Sequence, residues 1–330
     1  MSNGWLSRST LIWLGVWSAC AVFTLTVPLF GSSAIVDLSF RICVLVMIAV
    51  SWNLMAGAGL VSLGHSGFWG LGSYAAALSV NKLGFSFAAS LIPAILCGAL
   101  IGAGLALITG RLRGIYFAIS TLAMSEGFRV IAVMLPDVTG GFKGLYLDSS
   151  HFPGMVAVHI VAAVGAIATA GIAWQLSRTR YHFALRAMRD NEAACQMLGV
   201  EPLRYRLGIM ALSGAMASLA GGISIWRGGY LDPDVAFDLI TTINAQIAPI
   251  LGGIYTLPGP IIGSIITVAL GEITRLALGD IVGASLLVYG ALLVVIVLAL
   301  PHGIYGAFSR RHGRKMPRLL HRLGLMRGTR

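Results

Sequence analysis

Charge is scarce in this chain. Asp, Glu, Lys and Arg supply 11% of its 330 residues, while 57% are apolar. Soluble domains carry roughly a quarter charged residues, and one with so few would expose large apolar patches to water. That excludes a soluble globular fold and makes a bilayer the solvent that suits the composition. Cysteine is scarce too. Cys20, Cys43, Cys97 and Cys195 are far apart and form no C-x-x-C, which argues against a disulfide framework or zinc site and for small buried hydrophobes. No G-x-x-x-x-G-K-[ST] occurs, so the chain has no Walker-type ATPase of its own. No nucleophile–base or metal constellation stands out, leaving a membrane-embedded enzyme unsupported and no cofactor expected. Acids are absent from Pro301 onward, where eight bases occur: Arg310, Arg311, Arg314, Lys315, Arg318, Arg322, Arg327 and Arg330. Directly after an apolar span, such a run marks a cytoplasmic tail rather than a nucleic-acid surface.

What is abundant is apolar sequence and glycine, with 42 Gly residues; small residues let membrane helices approach closely. A spanning helix needs about 20 mostly apolar residues. Ten segments qualify or nearly so: 10–30, 38–57, 66–81, 88–109, 114–135, 155–176, 207–226, 239–254, 259–278 and 281–300. The first is read as a retained span rather than a signal peptide, having no clear small-residue cleavage site. The third and eighth are short enough to be broken or re-entrant. Basic clusters fall at Arg111/Arg113, over Arg178 to Arg206 and in the tail. Even numbers of spans separate them, so all three, and the N-terminus, can be cytoplasmic. The expected fold is an all-α integral membrane protein of about ten transmembrane helices. Residues 1–301 form the membrane domain with a cytoplasmic loop over about 177–206, and 302–330 form a basic cytoplasmic tail.

Four segments carry candidate chemistry. Asn53 to Tyr74 holds six glycines between Gly57 and Gly72, with Asn53, Ser62, His65 and Ser66 among them. Glycine this dense breaks or bends a helix. Transporters place such breaks on substrate paths; tight helix packing is the other reading. The second segment runs from Arg111 to Arg129. Its Tyr116 and Thr121 join the path candidates, and Glu126 lies twelve residues past Gly114, about 18 Å along a helix and so at membrane depth. An ionisable group there needs a partner or water. Arg129, one turn on, can neutralise it, or Glu126 can serve gating or substrate. Glu272 and Arg275 repeat the spacing near an outer helix end. The third segment, VTGGFKGL (Val138 to Leu145), reads as an outside turn folding onto a pore mouth. The fourth, Ser177 to Arg206, is the long polar segment between spans. A helix from Phe183 to Leu198, ended by Gly199 and followed by Pro202, suits docking on a partner or a solvated connector.

Taken together, these segments resemble the permeases of branched-chain amino-acid ABC importers, of the LivM type. The resemblance is carried, in order, by SLGHSGFWGLGSYAAAL, RLRGIYFAISTLA, TGGFKGL, ALRAMRDNEAACQMLGV, LAGGISIWRGGYLDP and LGGIYTLPGPIIG, over roughly residues 50 to 275. The family's coupling motif, E-N-E-x-A-A-x-x-L-G, is met by Asn191, Glu192, Ala194, Leu198 and Gly199, with Asp190 for its first Glu and Cys195 for its second Ala. Gly follows Glu192 by seven residues, where the general ABC motif has six. In the family's G-x-x-G-x-x-S-x-G, Gly59, Ser62 and Gly64 match and Ala56 replaces the first Gly.

The resemblance implies a permease subunit of the bacterial inner membrane. It implies a second homologous permease, two ATP-binding-cassette ATPases and an extracytoplasmic binding protein as partners, besides membrane lipid. Asp190, Asn191, Glu192, Ala194, Leu198 and Gly199 would couple to the ATPase. The implied cargo is a branched-chain or other hydrophobic amino acid; urea or a short amide is the alternative within the architecture. A self-sufficient secondary transporter is the rival from another class, but it normally needs titratable groups at the midplane, and Glu126 alone is placed for that.

Overall fold

The computed structural model describes residues 31–278 except 149 and 151, together with 24, 26–28 and some positions between 287 and 306. The long helices are α1 (Ser33–Gly57), α2 (His65–Leu83), α3 (Phe87–Thr109), α4 (Ile115–Met134), α6 (Met155–Ser177), α7 (Arg180–Met197), α8 (Pro202–Gly228), α10 (Leu239–Gly252) and α11 (Pro258–Leu278). Two four-residue turns of helix, α5 (Pro136–Thr139) and α9 (Pro233–Ala236), precede loops or helices on one end of the bundle.

Among the described residues, seven helical segments are long and apolar enough to cross a membrane. They correspond to the expected spans 38–57, 88–109, 114–135, 155–176, 207–226, 239–254 and 259–278. The count of about ten is therefore not reached, for identifiable reasons. The expected third span is a continuous 19-residue helix, α2, whose Gly, Ser, Asn and Lys residues leave it less apolar than the rest. The first and tenth, 10–30 and 281–300, lie almost wholly outside the described residues, as does the tail. The eighth is short but continuous, and the chain is broken just before it. Pro233 to Gly252 is interrupted at Phe237 and Asp238, and α10 has only 14 residues, about 21 Å of helix against a hydrocarbon core of roughly 30 Å. The other break falls before α2 rather than within it. One strand pairing departs from the all-α expectation: Leu145–Tyr146 pairs antiparallel with Tyr230–Leu231.

The packing explains the glycine content. α3 and α8 lie against each other along most of their length, and α2 packs on both. A Cβ on Gly98 of α3 would collide with the Gly214 carbonyl and Ser218 hydroxyl of α8, and one on Gly102 with the Met210 carbonyl. Only glycine lets the backbones come this close, which is how helices associate where lipid removes the hydrophobic drive.

Contacts sort the connections into two ends. At one, the turn between α3 and α4 meets α7 and the start of α8: Arg206 donates to the carbonyls of Gly110 and Leu112 at 2.6 and 3.2 Å. At the other, Leu147 N–H donates to the Gly229 carbonyl at 2.9 Å and Asn81 Nδ2 to the Tyr146 carbonyl at 2.8 Å. An ion network also sits at this second end. Asp37 of α1 pairs with Arg41 at 2.6 Å and with Arg227 of α8 at 2.5 Å, and Arg275 pairs with Glu272 of α11. The basic clusters around Arg111 and 178–206 thus share one end of the bundle, and Glu272 and Arg275 lie at the opposite one.

Candidate functional site at the helix break

α1 stops because Gly59 adopts a left-handed conformation, φ +80°, and the last N–H groups turn back: Gly59 N–H donates to Ala56 and Leu60 N–H to Met55. From there to Gly64 the backbone is not helical. Buried non-helical backbone leaves polar groups that must find partners, and side chains from three helices supply them. Trp52 Nε1 of α1 and Gln246 Nε2 of α10 both donate to the Ser62 carbonyl, at 2.9 and 3.3 Å. Leu63 N–H donates to Thr121 Oγ1 of α4 at 3.0 Å. Gly64 is obligatory here for space, since a Cβ would run into the Thr121 carbonyl.

The first turn of α2 continues this seam. Ser66 N–H donates to Thr242 Oγ1 at 2.8 Å, Thr242 Oγ1 donates to Ser66 Oγ at 2.9 Å, and the Ser66 and Ser125 hydroxyls lie 3.0 Å apart. Three helices, α2, α4 and α10, therefore meet through three hydroxyls. Ser125 is ten residues into α4, about 15 Å from its start and so near mid-depth. His65 ties the seam to α8 and α1: its Nε2 lies 3.2 Å from Ser213 Oγ, which donates to the Ser51 carbonyl at 2.9 Å. With its one proton committed to that carbonyl, Ser213 Oγ accepts from His65, so His65 carries its proton on Nε2. Its Nδ1 is buried and has no partner among the described residues.

Of the path candidates, Ser62, His65, Ser66 and Thr121 are thus brought together, each fully or almost fully buried. Asn53 is not among them. It clamps the α10–α11 connection, donating to the Thr256 carbonyl at 3.0 Å and accepting from Tyr255 N–H at 2.9 Å. Tyr116 and Glu126 point the other way. With Ile119, Ala123 and Val130 they form an exposed stripe at intervals of three or four residues along α4, which buries only Phe117, Ala118, Thr121, Ser125 and Ala132. Glu126 does pair with Arg129, whose Nε donates to it at 2.8 Å, but Arg129 also donates to Asp234 at 2.8 Å. In this single chain the Glu126 side chain is 56% exposed, so the pair is not enclosed by the chain itself. Sequence reasoning missed Asp234, Ser213 and Thr242. Each acts across more than a hundred residues, and no local spacing announces it. Ser125 sat inside a flagged segment and its hydroxyl was the available signal.

At the Arg111 end, α7 begins with Thr179 capping the His182 N–H. It buries Leu185, Met188 and Cys195. It kinks at Asn191 (φ −156°, ψ 97°), whose Oδ1 accepts from Ala194 N–H at 3.0 Å and so restarts the helix. Gly199 then closes it at φ +83°, with Val200 N–H returning to the Cys195 carbonyl at 3.1 Å. Of the motif residues, Asp190, Asn191, Ala194, Leu198 and Gly199 face outward. Glu192 does not: its carboxylate, 11% exposed, lies 2.9 Å from Arg206 and 3.1 Å from Arg113. Beyond the last turn, Met197 and Leu198 project as a bare apolar knob, 89% and 84% exposed. Nearby, Tyr181 donates to the Tyr205 carbonyl at 2.6 Å; burial pushes its phenol up to about 12, so it remains a donor.

A polar seam at mid-depth around a broken helix, beneath an exposed amphipathic helix at one end, defines a polytopic membrane transport protein. The family model described as the branched-chain amino acid transport system permease component matches residues 34–297, and the chain belongs to that family. It is 27% identical over 316 residues to the high-affinity branched-chain amino acid transport system permease protein LivM of Escherichia coli K12, covering 87% of this chain and 73% of that one. The LivM protein of Salmonella typhimurium is 26% identical over the same shares. A probable branched-chain amino acid transport permease protein, LivH, of Methanocaldococcus jannaschii is 29% identical over 54% of this chain and 53% of its own. No solved structure matches.

Proposed function

We propose that the chain is one permease of an ATP-driven importer. It pairs with a second, homologous permease, is powered by two separate ATPase subunits and is fed by an extracytoplasmic binding protein. Its cargo is a branched-chain or other hydrophobic amino acid. The Arg111 end, with both termini, lies in the cytoplasm, in keeping with its basic residues. The observation that carries this reading is the knob of Met197 and Leu198. Two large apolar side chains held in water at the end of a rigid helix need a groove, and burying them there is worth about 1.5–3 kcal/mol each.

Glu192 gives the knob its leverage. By pairing with Arg206 it links the second half of α7 to the start of α8, and through the Gly110 and Leu112 carbonyls to the α3–α4 turn. A push on the knob therefore moves three membrane helices together. α4 carries that push to the seam through Thr121 and Ser125, where the hydroxyl contacts with Gly64 to Ser66 and Thr242 can exchange partners. The stripe of Tyr116, Ile119 and Glu126 on α4 then faces the second permease and forms one wall of the path. The test is uptake of leucine by the purified complex in liposomes. Uptake that requires the ATPase subunits and ATP supports the reading. Full-rate uptake by this chain alone, driven by an ion gradient, would refute it in favour of a secondary transporter.

A further inference from the structure

A cleft opens at the Arg111 end between the last turns of α1 and α6, the first half of α7 and the loop after α10. One wall is apolar, with Val50, Leu54 and Leu257; the other carries His182, Arg186 and Arg189. Arg189 is held in place rather than free. It packs on Gly59, where a Cβ would come within 3.3 Å of its Cγ, and its guanidinium lies 4.2 Å from the centre of the Tyr255 ring. Yet its Nη1 is buried with no hydrogen-bond partner among the described residues. Its one carboxylate neighbour among the described residues, Asp190, reaches Nε and Nη2 at 3.4 Å from a side chain 72% exposed to solvent, a weak contact. Arg186 has no ion-pair partner among the described residues. Burial holds the imidazole of His182 below its ordinary range, and the charges of Arg186 and Arg189 lower it further. Among the described residues the cleft thus has a positive field with little compensation and a buried donor without an acceptor.

We infer that this cleft is a site for an anionic phospholipid, with its phosphodiester on Arg186 and Arg189 and an acyl chain along Val50, Leu54 and Leu257. A soluble anion would use the arginines but gain nothing from the apolar wall. A lipid satisfies both, and helix ends at this level meet the headgroup layer, where basic pockets between helices take anionic lipids. Arg189 immediately precedes Asp190 and the kink at Asn191. Occupancy would therefore pin the first half of α7 to α1 and steady the segment that carries Met197 and Leu198. The inference does not depend on which solute is moved.

The test is native mass spectrometry of the full chain released from nanodiscs holding equal phosphatidylglycerol and phosphatidylcholine. High salt should screen the basic tail while leaving a partly buried site little affected. Expected is retention of one phosphatidylglycerol by the unaltered chain, a several-fold loss in Arg186→Gln and complete loss in Arg186→Gln with Arg189→Gln. Arg186 is exposed, so its single variant carries the test if the double variant does not fold. Equal retention of both lipids by the unaltered chain, or unchanged phosphatidylglycerol retention in Arg186→Gln, overturns the site. Inorganic phosphate that displaces the lipid, and that is retained in phosphatidylcholine-only discs by the unaltered chain but not by Arg186→Gln, would assign the cleft to a soluble anion and overturn the lipid reading.

Discussion

Replacing Arg206 should damage the chain far more than replacing Arg113, the other base on Glu192. The Arg206 and Glu192 side chains are 6% and 11% exposed and lie 2.9 Å apart. Breaking a buried pair from one side typically costs 3–5 kcal/mol, because the remaining charge is left uncompensated. Arg206→Gln leaves Glu192 with Arg113 alone, at 3.1 Å and on a side chain 61% exposed. It also strips donors from the Gly110 and Leu112 carbonyls. The surviving Arg113 contact places the loss at the low end, about 3 kcal/mol. Arg113→Gln removes only that exposed contact and leaves Glu192 with Arg206, so at most about 1 kcal/mol is expected. The gap between the variants is then on the order of 2 kcal/mol, roughly a thirtyfold difference in the unfolding equilibrium. Unfolding of the purified chain in mixed micelles by graded sodium dodecyl sulfate measures it. Equal losses, or a loss below about 0.5 kcal/mol for Arg206→Gln, the range of an ordinary surface change, would refute the claim that Arg206 is the keystone of this end.

Three further outcomes follow from the same geometry. Gly64→Ala should abolish folded protein in fluorescence-detected gel filtration, because its Cβ meets the Thr121 carbonyl, while Gly57→Ala, with nothing within 4 Å, should leave the yield unchanged. Arg129→Gln should lower the folded yield more than Glu126→Gln, since Arg129 serves both Glu126 and Asp234 and loss of Glu126 leaves it paired. His182 should make the docking of α7 weaken in acid. Its folded value is depressed by burial and by Arg186 and Arg189, so the unfolded chain binds the extra proton first and stability falls as pH drops below about 6.5. Limited proteolysis after Arg186 between pH 7 and pH 5 reads this directly, and His182→Asn should flatten the dependence.

Much of this was legible beforehand. Glycine density announced the break between Gly57 and His65, and the three-residue spacing of Glu126 and Arg129 announced their pairing. Gly199 is left-handed where a helix stop followed by Pro202 called for it. The limits have physical causes. In lipid the outer face of a helix is as apolar as the inner, so the amphipathic period that normally points to a core is lost; nothing marked α4 as half bare or α2 as enclosed. Glu192 matched a docking motif, yet it points inward, because the partner that decides its direction, Arg206, lies on the next helix. Asp234 reaches Arg129 across 105 residues. Two-residue strands such as Leu145–Tyr146 have no period to detect.

The central claim is that Met197 and Leu198 sit in an ATPase groove at the cytoplasmic end. Cysteine cross-linking in the assembled complex tests it most directly, with Leu198→Cys at that end and Asp234→Cys at the other. Expected is an adduct between Leu198→Cys and an ATPase subunit whose yield changes with ATP, and none from Asp234→Cys. An ATPase adduct from Asp234→Cys, or labelling of Leu198→Cys by an impermeant reagent from the outside, would contradict it.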